Sequence, residues 1–546
     1  MIRLLFATAA TLLFANALGQ KHDIDLLVYN ANIYTVDHNF SKATAMAVHN
    51  GKIVAVGSTA DLKKKFNAKA SNDLKGKFVY PGFIDAHAHF MGYAIDLLSA
   101  DLVGTTSWDE ILQKLKTFAA AHPEGWLMGS GWDQNDWKEK EFPSREKLDA
   151  LFPDRPVLLT RIDGHAAIAN KAALELAGIK PGFTLEGGQA EVKNGELTGI
   201  LIDNAVSVVA SKAPATRMAA IKASLLVAQK NCFAVGLTTI DDCGLDYTDI
   251  LFLDSLQKSG ELKMRIYAML SDANRNYSFA AKHGKIKNDR LNVRAFKVYA
   301  DGALGSRGAC LLQPYSDKPG WSGFLLSSQQ HFDSVANVIN KLDFQMCTHA
   351  IGDSGNRTML NIYGKYLQER NDKRWRIEHA QVVNKNDFDL FGKYSIVPSV
   401  QPTHATSDMY WAEDRLGRER VKGAYAFEDL LKENGWIPLG TDFPVEDISP
   451  FKTFYAAVFR KDAKGYPAGG YQMENALTRE QAIRGMTIWA AKANFEEHEK
   501  GSLEAGKFAD FIVLDRDLMT SNAKDVLQTA VLATYIGGEK VFSKNN

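Results

Sequence analysis

Short apolar runs bounded by turn residues alternate with longer segments of helical period through the middle of the chain. The runs are Phe83–His87, Leu237–Asp241, Met264–Leu270, Val293–Tyr299, Phe344–His349, Trp375–His379, Ile396–Val400 and Ile437–Thr441. Each is short enough for a strand and too short for a stable helix. Helical segments fit between them, such as Thr216–Phe233 with Gly236 just beyond its end. Alternation of this kind predicts an α/β fold with parallel strands. Eight strand–helix units predict a TIM (β/α)8 barrel, whose chemistry sits at the C-terminal ends of its strands.

The two ends of the chain have a different texture. Asp25 to Asp37 and Thr44 to Gly57 read as strands, with Asn50-Gly51 as a hairpin turn. Phe508–Leu514 reads as another, and Leu532 to Val541 holds a hairpin at Gly537-Gly538. The pattern predicts a small composite β-sandwich domain built from residues 20–80 and 500–546, around a barrel over 81–499. The interval after the first barrel strand is too long for one crossover. It holds a helix opened by a Ser107-x-x-Glu110 capping box and strand-like runs at Trp126–Ser130 and Val157–Arg161. Residues 105–214 are therefore expected to form an inserted subdomain over the barrel mouth.

Composition narrows the function classes. The 546 residues are 46% hydrophobic and 23% charged, ordinary for a globular protein. The 64 basic and 64 acidic side chains cancel, so nucleic-acid binding finds no support. Arg3, the apolar run Leu4 to Phe14 and the small residues of Ala17-Leu18-Gly19 have the layout of a secretory signal peptide over residues 1–19. The mature protein is thus expected outside the cytoplasm, periplasmic or secreted, and free of the membrane, with an oligomer left open. Cys232, Cys243, Cys310 and Cys347 match no zinc or redox spacing and are expected as buried thiols.

The candidate chemistry lies at the strand ends. In Val79-Tyr80-Pro81-Gly82-Phe83-Ile84-Asp85-Ala86-His87-Ala88-His89, two histidines are separated by one residue and so project to one face of a strand. Neutral imidazole is a common ligand of Zn²⁺. Lys297 sits in the fourth strand, His349 ends the fifth, His379 ends the sixth and Asp442 follows the eighth. A strand-end histidine is ordinarily a rim residue and a strand lysine ordinarily reaches solvent. Five of eight strands delivering such a residue to the same end is a metal-site pattern.

This pattern resembles the amidohydrolase superfamily. Tyr299-Ala300-Asp301-Gly302-Ala303-Leu304-Gly305-Ser306-Arg307, Ile162-Asp163-Gly164-His165 and Gln401-Pro402-Thr403-His404 resemble its YtcJ-like branch, amidohydrolase family 3, to which N-substituted formamide deformylases belong. The resemblance implies a metal-dependent hydrolase of an amide-type, non-peptide carbon–nitrogen bond in a small molecule. His87, His89 and Asp442 would hold one divalent ion and His349 and His379 a second, with Zn²⁺ the ion the resemblance implies and Fe, Mn or Co as alternatives. Lys297 would be carboxylated and bridge the two ions. Asp442 would shuttle the proton from a water whose pKa the metal lowers to about 7.

His165, Asp301, Arg307 and His404 are candidates for substrate contacts. Trp132, Trp137 and Trp411 would line an apolar pocket or pack in cores. The alternatives are a deaminase or ester hydrolase on the same barrel, or a catalytically silent binding protein. Lys297 argues against the deaminase, because typical mononuclear deaminases lack the strand-four lysine.

Overall fold

The computed structural model describes residues 21–544, and three sheets organise them. The expected leader, residues 1–19, lies outside the described residues. No helix among those described is long and apolar enough to cross a membrane.

The central sheet runs Phe83–Ala88, Leu237–Leu245, Arg265–Ser271, Leu291–Tyr299, Gln345–Ala350, Arg376–His379 and Val397–Ser399, each parallel to the next. These are seven of the eight strands expected from the apolar runs. The eighth, Ile437–Thr441, is no regular strand. It pairs through one parallel bridge, Val400 with Leu439, on one side. On the other side Ala86 N–H donates to the Leu439 carbonyl at 3.2 Å and Asp442 N–H to the His87 carbonyl at 2.8 Å. Pro438 has no N–H to offer, and Thr441 N–H turns to the buried Asp85 carboxylate at 2.9 Å. A ladder cannot run through those two positions, so single bonds close the ring and the sheet is a TIM-like barrel.

The helix expected over Thr216–Phe233 spans Met218–Ala234. Inside the barrel, Cys243, Tyr267, Met269, Ala295 and Cys347 form a buried cluster. All four cysteines are free thiols, three of them buried.

A second sheet joins the chain ends. Phe511–Leu514 runs antiparallel to Phe78–Pro81, so C-terminal and N-terminal strands share one eight-stranded hydrogen-bonded sheet. Both hairpin turns form with positive φ at each central residue: Asn50 at 51°, Gly51 at 75°, Gly537 at 58° and Gly538 at 76°. Those angles belong to the type I′ turn, whose twist matches the flanking strands.

The third sheet has six strands, from Ala100–Asp101 to Glu196–Asp203, all between the first and second barrel strands in sequence. Its helix Trp108–Ala121 is capped at Ser107, whose hydroxyl accepts from Glu110 N–H at 3.2 Å. Only that half of the capping box forms. The Glu110 carboxylate accepts instead from Thr106 N–H at 2.8 Å, one residue earlier. Trp132 and Trp137 belong to the core of this unit, their indole N–H groups donating to the carbonyls of Leu159 and Thr105. Trp411 is buried against the main core.

Candidate metal centre

Strand one and the turn after strand eight are bolted together just where the chemistry lies. Asp85 accepts from Thr441 N–H at 2.9 Å and from its hydroxyl at 2.6 Å, while His89 N–H donates to the Phe443 carbonyl at 2.9 Å. Asp442, φ 66°, is thereby turned back over the barrel end. His379 and Ala380 also have positive φ, 71° and 42°. Such backbone is costly for residues with side chains and persists where the surroundings impose it.

These turns gather the side chains. His89 Nε2 lies 3.3 Å and His87 Nε2 3.5 Å from Asp442 Oδ1. Four donors around an ion at the usual zinc bond lengths of about 2.0–2.1 Å sit roughly 3.3–3.4 Å apart, the edge of the tetrahedron. The two imidazoles and the carboxylate are thus spaced as ligands of one small dication. His404 Nε2 approaches the other oxygen, Oδ2, at 3.1 Å. One donor atom each from His379, His404 and Asp442 falls within 4.8 Å of the others, as do those of His87, His89 and Asp442.

The imidazoles face the centre because their other nitrogens are occupied elsewhere. His87 Nδ1 is 2.6 Å from Glu378 Oε2, and His89 Nδ1 is 3.0 Å from the Cys243 carbonyl. The Asp242 carboxylate accepts from Phe90 and Met91 N–H at 3.0 and 3.1 Å, anchoring the helix Phe90–Asp96 that starts just after His89. Lys297 is wholly buried, with Nζ 3.1 Å from His87 Nε2. His349 and His379 rings lie 4.6 Å apart, and those of His87 and His379 4.7 Å. The six expected ligand residues therefore converge.

Electrostatics prepare these groups for a cation. Burial, with Lys297 beside it, pushes His87 down to about 4. Burial and neighbouring imidazoles hold His379 well below the ordinary histidine range, and burial with His165 does so for His349. Neutral imidazoles with free lone pairs result. Burial opposes the charge of Asp442, but His87, His404 and His89 around it hold its carboxyl well below the usual range. Two buried atoms at the centre, Asp442 Oδ1 and His379 Nδ1, have no hydrogen-bond partner. An unpaired buried carboxylate oxygen is costly in a dry site. A divalent ion satisfies both the charge and the orphaned atoms, so the donor set fits one.

The four candidate substrate groups separate into two pairs. His404 sits within the donor cluster, bridging Asp442 and Glu446, whose Oε1 is 3.2 Å from its Nδ1. His165 comes from the six-stranded unit and reaches over strand five, its ring 4.8 Å from that of His349. Its Nδ1 is 2.6 Å from Asp203 Oδ1. The Asp203 carboxylate lies against the backbone of Gly302 and Gly308, where an added Cβ would come within 2.5 and 2.4 Å of it. Asp301 and Arg307 point elsewhere. Asp301 is buried and accepts from the N–H groups of Ile351, Gly352 and Cys310, tying the loops after strands four and five. Arg307 pairs with Asp317 at 2.8 Å.

Sequence reasoning missed Glu378. Its signal was its position beside His379 in Arg376-Ile377-Glu378-His379, read there only as strand.

A family model described as an amidohydrolase family matches residues 72–542. The chain belongs to that family. It is 33% identical over 95% of its length to the protein LONG AFTER FAR-RED 3 of Arabidopsis thaliana, covering 91% of that protein. It is 30% identical over 94% of its length to the YtcJ protein of Bacillus subtilis (strain 168), covering 98% of it. An N-substituted formamide deformylase of Arthrobacter pascens is 28% identical over 94% of this chain and 97% of its own. Among solved structures, an uncharacterized metal-dependent hydrolase of Pyrococcus horikoshii aligns with TM-score 0.74 and 27% identity, over 91% of this chain and 99% of the other. This amidohydrolase is an enzyme of the metal-dependent type that acts on carbon–nitrogen bonds other than peptide bonds.

Proposed function

We propose that this amidohydrolase is an exported enzyme that hydrolyses the amide bond of a small N-acylated amine, an N-substituted formamide being the nearest chemistry among its relatives. The observation that carries the reading is the spacing of His87 and His89 Nε2 around Asp442 Oδ1, at 3.5 and 3.3 Å.

His87, His89 and Asp442 would hold one divalent ion, zinc or a neighbouring first-row metal, with His349 and His379 able to hold a second. When bound, the metal supplies a Lewis acid that polarises a carbonyl and acidifies water. The chain's own contribution is the handling of protons and pose. Asp442 Oδ2, held ionised at the barrel mouth, takes the proton from water and delivers it to the leaving nitrogen. His404 Nε2, 3.1 Å from that oxygen, fixes its direction. His165, braced by Asp203, faces the substrate from above strand five and orients its polar group. Burial of the centre keeps bulk water from competing for these contacts.

Lys297 is proposed to be carboxylated when the centre is loaded, its added oxygens replacing an ammonium that would repel the ion.

The test is a panel of N-substituted formamides, N-acylated amines, lactams, esters and aromatic amines offered to the metal-loaded protein. Turnover of formamides or acylated amines, abolished by a chelator and restored by Zn²⁺, is the expected result. Turnover confined to esters, or release of ammonia from amines alone, would replace this reading with the esterase or deaminase one. Export has its own measurement. N-terminal sequencing of the native protein is expected to begin at or near Gln20, and an intact Met1 would sink that part of the proposal.

A further inference from the structure

Consecutive residues in a strand point to opposite faces. Arg376 and Glu378, two apart, share the inward face of strand six, and by that rule His379 would point away. Its φ of 71° breaks the alternation, so Glu378 and His379 both reach His87. Two adjacent residues thus serve one centre, one as a donor cluster member and the other from behind a ligand.

Glu378 is completely buried. Its Oε2 lies 2.6 Å from His87 Nδ1, while Oε1 has no hydrogen-bond partner and rests 3.8 Å from Arg376 Nη1. Arg376 is in turn fixed by Asp241 Oδ2 at 2.9 Å, by the Ala86 carbonyl at 3.2 Å and by Asn494 Oδ1. Asn494 Nδ2 donates to Asp241 Oδ1 at 2.5 Å. A column of fully buried charges therefore stands in the barrel beneath the centre. A group buried at such cost needs a reason beyond stability, since buried ion networks often contribute little of it.

We propose that Glu378 is a positioning residue that holds His87 as its Nδ1–H tautomer, ring fixed and Nε2 lone pair aimed at the metal. A carboxylate accepting from the far nitrogen orients an imidazole ligand and makes its near nitrogen a stronger donor. His89, whose Nδ1 donates only to the neutral Cys243 carbonyl, lacks this help. The inference rests on His87 being a metal ligand.

The test uses the full mature protein, stripped with a chelator and titrated with Zn²⁺ against a competing chelator. Glu378→Ala is expected to weaken Zn²⁺ binding about 100-fold and Glu378→Gln about 10-fold, the amide oxygen still accepting from Nδ1–H but without charge. In the Gln variant the melting temperature of the metal-free protein should stay at the wild-type value while the rise produced by Zn²⁺ shrinks, which a merely structural residue would not produce. If Glu378→Ala does not fold, Glu378→Gln alone decides. Affinity within about twofold of wild type in the folded variants overturns the proposal. His87→Ala separates the two layers: if it loses Zn²⁺ while the Glu378 variants keep it, the positioning role falls and the metal site stands. If His87→Ala itself binds Zn²⁺ like wild type, the metal reading of His87 falls.

Discussion

Asp442→Asn is expected to lower kcat by about 10²–10⁴-fold, the range that a positioned general acid–base contributes. Asparagine has almost the same shape, so the turn after strand eight should survive, with Asp442 N–H on the His87 carbonyl and His89 N–H on the Phe443 carbonyl. The amide can still accept a hydrogen bond from His404 Nε2, now 3.1 Å from Asp442 Oδ2. It cannot take a proton from water or return one to a leaving nitrogen. With its one oxygen turned to His404, it presents an NH2 group to the centre where Oδ1 is anionic and otherwise unpaired, so metal binding should weaken as well. The measurement is kcat on an accepted amide at saturating Zn²⁺, with metal content and circular dichroism recorded on the same sample. A folded, metal-loaded Asp442→Asn enzyme with wild-type turnover would remove Asp442 from the mechanism. Loss of metal alone, cured with full activity at high Zn²⁺, would leave it as a ligand and no more.

Seven barrel strands were legible because each is an apolar run, and burial of a parallel strand on both faces demands one. The eighth was found as a segment but not as a strand. Pro438 and the Asp85-bound Thr441 N–H deny it a ladder, and apolar pattern carries no trace of that. His87, His89, Lys297, His349, His379 and Asp442 were legible because strand ends in this architecture share one mouth. The surrounding roles were harder. Asp301 follows strand four as a substrate-binding residue would, yet its carboxylate is consumed by three backbone N–H groups. That outcome depends on how the loops after strands four and five fold back. His404, a candidate substrate contact, stands 3.1 Å from Asp442, because a helix starting at Pro402 turns it inward. Glu378 adjoins His379, yet strand alternation would set the two on opposite faces, and only the positive φ at His379 cancels that rule. Residues that act through backbone irregularity leave the weakest sequence signal.

Lys297→Ala is expected to weaken metal binding by about 10²-fold or more and to remove most activity, with partial rescue by small carboxylic acids. The lysine cannot remain a bystander. Its side chain shares a strand face with Ala295 and Tyr299, is wholly buried, and ends 3.1 Å from His87 Nε2, on the lone pair a metal needs. Burial opposes its charge, but the acidic groups around it, Cys243 and Tyr299 first and then Glu378 and Asp442, hold the ammonium above the ordinary lysine range. A dication at His87 reverses that balance. Repulsion between an ammonium and one positive charge is about 4 kcal/mol at 4 Å and an effective dielectric of 20, and about double for a dication. Loading would therefore require Lys297 to lose its charge, and the proposed carboxylation would both remove it and supply oxygens for the ion. On that proposal alanine would lack those oxygens, and formate or acetate in the gap would replace part of what was lost. Three readings decide the matter: metal ions per chain, turnover with and without added carboxylic acid, and an intact mass at neutral pH under carbon dioxide. Equal activity and one metal per chain in both forms would rule out the bridge and leave a mononuclear centre on His87, His89 and Asp442.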